Sequence, residues 1–139
     1  MNEKIVKTLI KESIKSYKKN EVPVGCVIVK NNKIISKGHN TKEKNNCAIY
    51  HAEVNAILKA CKKNKDWRLD NCTLYVSLEP CNMCREIIRQ SRIHHIYYLI
   101  KSNFNNENYN NLNIKEIDGY SLEKEKYLIK LKKFFANKR

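Results

Sequence analysis

Residues 73–84, TLYVSLEPCNMC, decide the fold class of this chain. The first six residues are mostly β-branched, aromatic or leucine, and they predict a strand from Thr73 to Leu78. Pro80 then opens a predicted helix that runs to about Ser91, because proline fits the first helical turn. A C-x-x-C pair at a helix start puts both sulfurs on one side of one turn, which suits a metal ion.

Hydrophobic patterns on both sides of this stretch predict further helices and strands. Helices are predicted over residues 3–19 and 51–63 and from Ser121 as cap, and strands over 24–30, 33–38, 95–100 and 114–117. Asn31-Asn32 predicts a tight hairpin turn, because asparagine tolerates positive φ, and residues 39–50 and 102–113 are predicted loops. This order predicts a single α/β domain over residues 1–139, with a mixed sheet of about five strands flanked by helices.

The triplet His51-Ala52-Glu53 supplies the other candidate groups of the site. His51, Cys81 and Cys84 are ligand types that zinc prefers, and three protein ligands leave a fourth position open for water. We therefore expect one Zn²⁺ per chain with a bound water or hydroxide. Glu53 is then a carboxylate that is not a ligand. Because residues i and i+2 do not share a helical face, His51 and Glu53 converge only in the first turn of a helix.

Two other interpretations of the same residues stay open. Cys47 precedes His51 by four residues, so Cys47, His51, Cys81 and Cys84 could form a closed structural zinc site. The cysteines could also be metal-free thiols. Glu53 would have no role in a closed site, and the pattern H-x-E…P-C-x-x-C is the signature of zinc deaminases that act on nucleobases. Both points favour a catalytic zinc.

The sequence resembles the cytidine deaminase superfamily, and within it the bacterial-type tRNA-specific adenosine deaminases. The matching motifs are those above together with EVPVG at 21–25, GHN at 38–40, WRL at 67–69 and SRI at 91–93. The resemblance implies a three-layer cytidine-deaminase-like fold, a homodimer, and hydrolysis of adenosine to inosine at the first, or wobble, anticodon position. The implied partner is the anticodon stem-loop of tRNA. No organic cofactor is implied.

The resemblance also implies roles for individual residues. Glu53 is the implied catalytic acid and base, Asn40 contacts the base, and the Ala52 backbone N–H contacts the oxygen or amine at the reacting carbon. Asn40 could instead be an ordinary loop-end cap. Arg85-Glu86 stand where this family usually has small residues, and residues 99–102 differ from its usual pattern.

The C-terminal region carries candidate RNA contacts. Phe135, Lys138 and Arg139 are similar to the family's terminal helix, where paired phenylalanines and basic residues lie near RNA. Residues 121–139 hold seven basic and two acidic side chains, which supports phosphate contacts. The alternatives are core packing for Phe134 or Phe135 and a solvated helix face for the lysines. Tyr50 and Phe104 are further aromatic residues that could stack on bases.

Composition limits the function classes. The net charge of +14 favours a polyanionic partner such as nucleic acid, although an AT-rich genome could produce the same lysines. No apolar run approaches the roughly 18–20 residues of a membrane span, and no signal peptide is recognisable, so we expect a cytoplasmic protein that is not in a membrane. Two competing functions remain: a free nucleobase or nucleotide deaminase (guanine, cytosine or dCMP), and a non-enzymatic structural-zinc module that binds nucleic acid.

Overall fold

The computed structural model describes residues 2–102 and 112–137. All of the predicted helices and strands are confirmed, with ends that differ by at most two residues. The elements are α1 Asn2–Lys18, β1 Gly25–Lys30, β2 Lys33–His39, α2 Lys42–Asn45, α3 Ala52–Asn64, β3 Cys72–Leu78, α4 Asn82–Gln90, β4 His95–Ile100, β5 Asn113–Glu116 and α5 Ser121–Ala136.

Five strands form one mixed sheet in the order β2-β1-β3-β4-β5. Strand β1 pairs antiparallel with both β2 and β3, whereas β3, β4 and β5 are parallel. Because β1 is antiparallel to both of its neighbours, β2 and β3 run in the same direction. Their carboxyl ends, at His39 and Leu78, therefore lie at the same edge of the sheet, and this edge holds the site described below.

Helices cover both faces of the sheet and make three layers. Along β1, Cys26 and Ile28 belong to one apolar cluster, while Val27 and Val29 belong to the other. Alternate residues of a strand point to opposite faces, so both faces of β1 are buried. Helices α3 and α4 contribute to the first cluster, and α1 and α5 contribute to the second. The predicted α/β fold with a five-stranded mixed sheet is confirmed.

The hairpin between β1 and β2 forms as predicted. Asn31 and Asn32 have φ values of 52° and 60°, and the strands pair on either side of them. Two consecutive left-handed residues define the turn whose twist matches that of the flanking strands. No helix in the described part of the chain has the length and apolar character needed to cross a membrane.

Two local predictions were wrong. The predicted loop 39–50 contains α2, a single turn whose Glu43 and Lys44 N–H groups each donate a 3.0 Å hydrogen bond to the Glu21 carboxylate. A distant acid satisfies the start of this helix, so local sequence does not show it. Ser121 is not the cap of α5: Tyr120 takes the N-cap position at φ 58°, and no side chain caps this helix.

Candidate metal centre

Three predicted ligands meet at the edge of the sheet where β2 and β3 end. His51 Nδ1 lies 3.8 Å from Cys81 Sγ and 3.4 Å from Cys84 Sγ, and the three ligand atoms all lie within 4.8 Å of one another. A tetrahedral zinc with ordinary bond lengths separates a nitrogen and a sulfur ligand by about 3.6 Å. The donor types and their spacing therefore fit zinc.

Helix starts bring these ligands together. His51 is the N-cap residue of α3 and Cys81 is the N-cap residue of α4, and Cys84 lies in the first turn of α4. Both N-cap residues have extended backbones, and neither side chain makes a capping hydrogen bond. Their side chains are free of the capping role that N-cap residues usually have. Each is therefore available to a ligand shared between the two helices.

Gly38 sets how closely α3 approaches the sheet. A Cβ atom at this position would lie 2.7 Å from the Ala52 carbonyl oxygen and 2.7 Å from the Ala56 nitrogen. Only glycine permits such close contact between β2 and the first turn of α3. The GHN motif therefore has a packing role, because Gly38 fixes the depth at which His51 and Glu53 sit.

Glu53 lies in the first turn of α3, as its convergence with His51 requires. It is the second residue of α3, one turn or less from His51, and it is 4% exposed. Its carboxyl group interacts with the Cys84 thiol, so it reaches the ligand cluster although it is not one of the three close ligands. Burial raises the pKa of Glu53 to about 7. A buried carboxyl group thus lies beside the three candidate ligands.

The pKa values of the two cysteines shift in opposite directions. The hydrogen bond from Cys84, aided by His51, lowers the pKa of Cys81 to about 3, and the same pairing with burial raises the pKa of Cys84 well above its ordinary value. The hydrogen bond to Cys81 is also the main reason that the pKa of His51 is raised. These interactions link the three groups, and metal binding requires that the ligands lose their protons.

Cys47 does not join the cluster. It is exposed, and within the described ranges the close group consists of His51, Cys81 and Cys84. The closed four-ligand site that Cys47 could have completed is therefore not formed. Three ligands with a neighbouring carboxyl group are the arrangement of a catalytic zinc site.

Asn40 and Ala52 hydrogen-bond to each other. Asn40 Oδ1 accepts a 2.7 Å hydrogen bond from the Ala52 N–H, and Asn40 Nδ2 donates to the Val22 carbonyl at 3.0 Å. Asn40 thus satisfies the first N–H of α3, which is the loop-end capping role that the sequence left open. A contact of either group to substrate stays a prediction, and it requires that this hydrogen bond be exchanged or shared.

The predicted RNA contacts are only partly covered by the described residues. Phe135 is 53% exposed, whereas Phe134 is 7% exposed and packs edge to face against it. Core packing thus accounts for Phe134 and leaves Phe135 at the surface. Lys138, Arg139 and Phe104 lie outside the described residues.

Comparison with known proteins identifies the family. Residues 1–100 match the family described as the cytidine and deoxycytidylate deaminase zinc-binding region. A tRNA-specific adenosine deaminase of Streptococcus pyogenes serotype M18 (strain MGAS8232) is 49% identical over 89 residues, which are 64% of this chain and 56% of that protein. The tRNA-specific adenosine deaminase of Bacillus subtilis (strain 168) is 43% identical over 97 residues, 70% of this chain and 60% of that protein. The chain thus spans somewhat more than half the length of these curated relatives.

Two solved structures are similar in fold and sequence. One comes from biochemical and structural studies of A-to-I editing by tRNA:A34 deaminases at the wobble position of transfer RNA. It has a TM-score of 0.74 and 26% identity, and the match covers 80% of this chain and 95% of that one. The other is a guanine deaminase from Bacillus subtilis, with a TM-score of 0.68, 36% identity, and coverage of 73% and 65%. The predicted cytidine-deaminase-like fold and the superfamily resemblance are confirmed, and the chain belongs to the cytidine and deoxycytidylate deaminase zinc-binding family.

Proposed function

We propose that this protein is a zinc-dependent hydrolase that converts adenosine to inosine at the wobble position of tRNA. The observation that carries the proposal is the meeting of His51, Cys81 and Cys84 with the buried carboxyl group of Glu53 beside them. Three ligands and a nearby non-ligand carboxylate suit activation and attack of water. The relatives named tRNA-specific adenosine deaminase support adenosine in tRNA as the substrate.

The chemistry needs one proton carrier, and we assign that role to Glu53. When bound, zinc supplies the Lewis acid that makes water a nucleophile at neutral pH. Glu53 takes a proton from the attacking water and delivers it to the purine ring nitrogen, while the oxygen bonds to C6. Glu53 then carries the remaining proton of the C6 hydroxyl group to the C6 amine, the carbon–nitrogen bond breaks, and the oxygen stays on C6 as a carbonyl. Adenosine and water thus become inosine and ammonia.

Features of the surface support an RNA substrate. A base must leave its stack to reach a site at the edge of the sheet, and a hairpin-loop nucleotide is extruded more easily than a paired one. The basic surplus of residues 121–139 favours phosphate contacts, and exposed Phe135 offers a face on which a base could stack. We propose Phe135, Lys138 and Arg139 as RNA contacts, and Asn40 and the Ala52 N–H as contacts to the target base.

Inosine formation tests this function. The zinc-loaded protein is incubated with an unmodified tRNA that carries adenosine at the wobble position, and inosine is measured by nucleoside mass spectrometry. We expect inosine at that base from the wild type, and a loss of at least about 100-fold in Glu53→Gln, since a positioned proton carrier contributes roughly that much or more. The variant should keep its zinc. Absence of inosine from zinc-loaded wild type contradicts the proposal.

A free-base deaminase is the second candidate. The observation that favours it is the similarity to the guanine deaminase structure, which at 36% is more identical than the tRNA deaminase structure. The dependence of affinity on salt distinguishes the two candidates. Affinity for RNA falls steeply as the salt concentration rises, whereas affinity for a free base depends little on salt. Ammonia release from guanine, cytosine or dCMP, with none from tRNA, favours this candidate. RNA binding that is indifferent to Glu53→Gln, without turnover, favours a non-enzymatic module.

We also propose that residues 1–139 form one domain that works as a homodimer in the cytoplasm. One sheet carries all the strands of the described residues, which supports a single domain. Trp67 is half exposed and lines a groove of about 980 Å³ together with residues of α3 and α4, and exposed apolar surface of this kind supports self-association. All six cysteines are free thiols, which fits a reducing compartment. Sedimentation showing a stable, active monomer contradicts the homodimer.

A further inference from the structure

The residue after the last metal ligand is a buried arginine. Arg85 is 4% exposed, although a charged side chain is seldom buried without a partner. Its Nη2 donates a 2.6 Å hydrogen bond to Glu79 Oε2, and its Nε donates a 3.0 Å hydrogen bond to the Pro80 carbonyl. The guanidinium group of α4 thus holds the two residues that come directly before Cys81.

Arg85 contacts the turn before Cys81 through the Pro80 carbonyl. This carbonyl belongs to the planar peptide unit that joins Pro80 to Cys81, so a hydrogen bond to it acts directly on the backbone of Cys81. The fork of an arginine can hold this carbonyl and a carboxylate at the same time, which an ammonium group on a flexible stem does less well. Both partners are largely buried, since the exposed fractions of the Arg85 and Glu79 side chains are 5% and 11%. The contact is therefore little weakened by solvent.

Glu79 continues the network to the end of β4. Its second oxygen accepts hydrogen bonds from the Ser102 N–H at 3.1 Å and the Ser102 hydroxyl at 3.4 Å. The Glu79 N–H donates to the Ile100 carbonyl at 2.9 Å. The turn that presents Cys81 is therefore tied both to α4, through Arg85, and to the chain that leaves β4, through Ser102.

We propose that Arg85 is a positioning residue for the metal centre. By fixing Glu79 and the Pro80 carbonyl, it holds Cys81 at its distance from His51 and couples the metal-binding turn to the segment after β4. The proposal rests on the zinc site of the proposed function. Groups that orient metal ligands typically change metal affinity by roughly 10- to 100-fold when removed.

Zinc release from the folded protein tests this role. Zinc-loaded wild type, Arg85→Ala, Arg85→Lys and Glu79→Gln are mixed with a chromophoric chelator, at a temperature where circular dichroism shows each to be folded. We expect Arg85→Ala to release zinc at least about 10-fold faster than wild type. Arg85→Lys should fall between them, because lysine can pair with Glu79 but cannot also reproduce the Nε contact to Pro80.

Arg89→Ala is the matched control. Arg89 pairs with Glu86 on the same helix at 2.6 Å, but both side chains are 38% exposed. This variant removes the same chemical group from α4 without touching the turn before Cys81, so zinc release should equal that of wild type. A purely structural role for Arg85 would lower unfolding stability and leave the release rate of the folded protein unchanged, which overturns the proposal.

A double variant covers the case in which Arg85→Ala does not fold. Arg85→Met with Glu79→Met replaces the buried pair by apolar groups of similar size, a change that folds often tolerate. It still loses the hold on Pro80 and Ser102, so we expect faster zinc release, and a wild-type rate overturns the proposal. This experiment measures the rate of zinc release and not the formation of inosine. A wild-type protein that holds zinc but makes no inosine would therefore contradict the proposed function without contradicting the role of Arg85.

Discussion

The hydroxyl of Tyr127 donates a 2.6 Å hydrogen bond to the carbonyl of Pro23, which lies 104 residues earlier in the chain. The same hydroxyl oxygen accepts a 2.9 Å hydrogen bond from Ser77, whose oxygen in turn accepts from the Gly25 N–H at 3.0 Å. Tyr127 is buried, and burial raises its pKa well above the ordinary value. This network attaches α5 to β3 and to the segment that enters β1.

Removal of the Tyr127 hydroxyl should destabilise the protein without reaching the metal ligands. Tyr127→Phe leaves the Pro23 carbonyl without its donor, and a buried polar group left unpaired costs about 1–3 kcal/mol in unfolding free energy. Urea unfolding measures this loss, and zinc content should not change. Tyr120→Phe, at the partly exposed start of the same helix, is the control. Equal stability of the two variants would show that the network contributes little.

Metal binding should distinguish the ligand cysteine from the exposed one. Cys84→Ser should lose most of its zinc, because a hydroxyl group is a poor replacement for a thiolate in a three-ligand site. Cys47→Ser should keep about one zinc per chain, since Cys47 is exposed and lies outside the ligand cluster. Atomic absorption on gently prepared protein gives the stoichiometry. Loss of zinc in Cys47→Ser would restore the closed four-ligand site.

Two glycine variants should separate damage to the fold from damage to the site. In Gly38→Ala the added Cβ would strike the first turn of α3, and in Gly25→Ala it would meet the Leu9 carbonyl oxygen of α1 at 2.3 Å. Overpacking of this kind costs roughly 1–3 kcal/mol, so both variants should unfold at lower urea. Only Gly38→Ala should also release zinc faster while folded, because it displaces His51. Equal zinc release in the two variants would contradict the role given to Gly38.

Acid should remove a stabilising contact at Glu12. Burial alone raises the pKa of Glu12, but hydrogen bonds from His39 at 3.1 Å and Lys15 at 2.7 Å outweigh burial and lower the pKa from 4.5 to about 2. Because the folded pKa is the lower one, the contribution to stability is complete above about pH 4.5 and is lost as the pH falls toward 2. Glu12→Gln should therefore be less stable than wild type at pH 6, and the gap should narrow at pH 3.

Urea midpoints at both pH values measure the Glu12 effect, and Glu3→Gln is the control on the same helix. Glu3 pairs with Lys7, but both side chains are more than two thirds exposed. Exposed pairs contribute little to stability, so Glu3→Gln should stay close to wild type at both pH values. A gap for Glu12→Gln that is constant with pH would contradict the argument.

Much of the fold could be predicted from local pattern. The helical stripe of α1, the β-branched strand before Pro80 and the asparagine pair of the hairpin are each determined by neighbouring residues. The turn α2 could not, because its first N–H groups are satisfied by Glu21. The sequence allowed a capping role for Asn40 but did not predict that its partner is the Ala52 N–H. A loop asparagine has several possible partners, and the packing of α3 selects one.

The sequence by itself determined which residues are the candidate metal ligands. Histidine and cysteine are residue types that bind zinc, and both kinds occur at predicted helix starts, the cysteines as a C-x-x-C pair. His51, Cys81 and Cys84 could therefore be named as candidates before any fold was known. The tertiary structure decided that they meet. Strand β1 runs antiparallel to both β2 and β3, which brings the ends of these strands, and the starts of α3 and α4, to the same edge of the sheet. It also placed Arg85 against Glu79 and Ser102, because contacts between distant segments depend on strand order and packing, which no short motif contains.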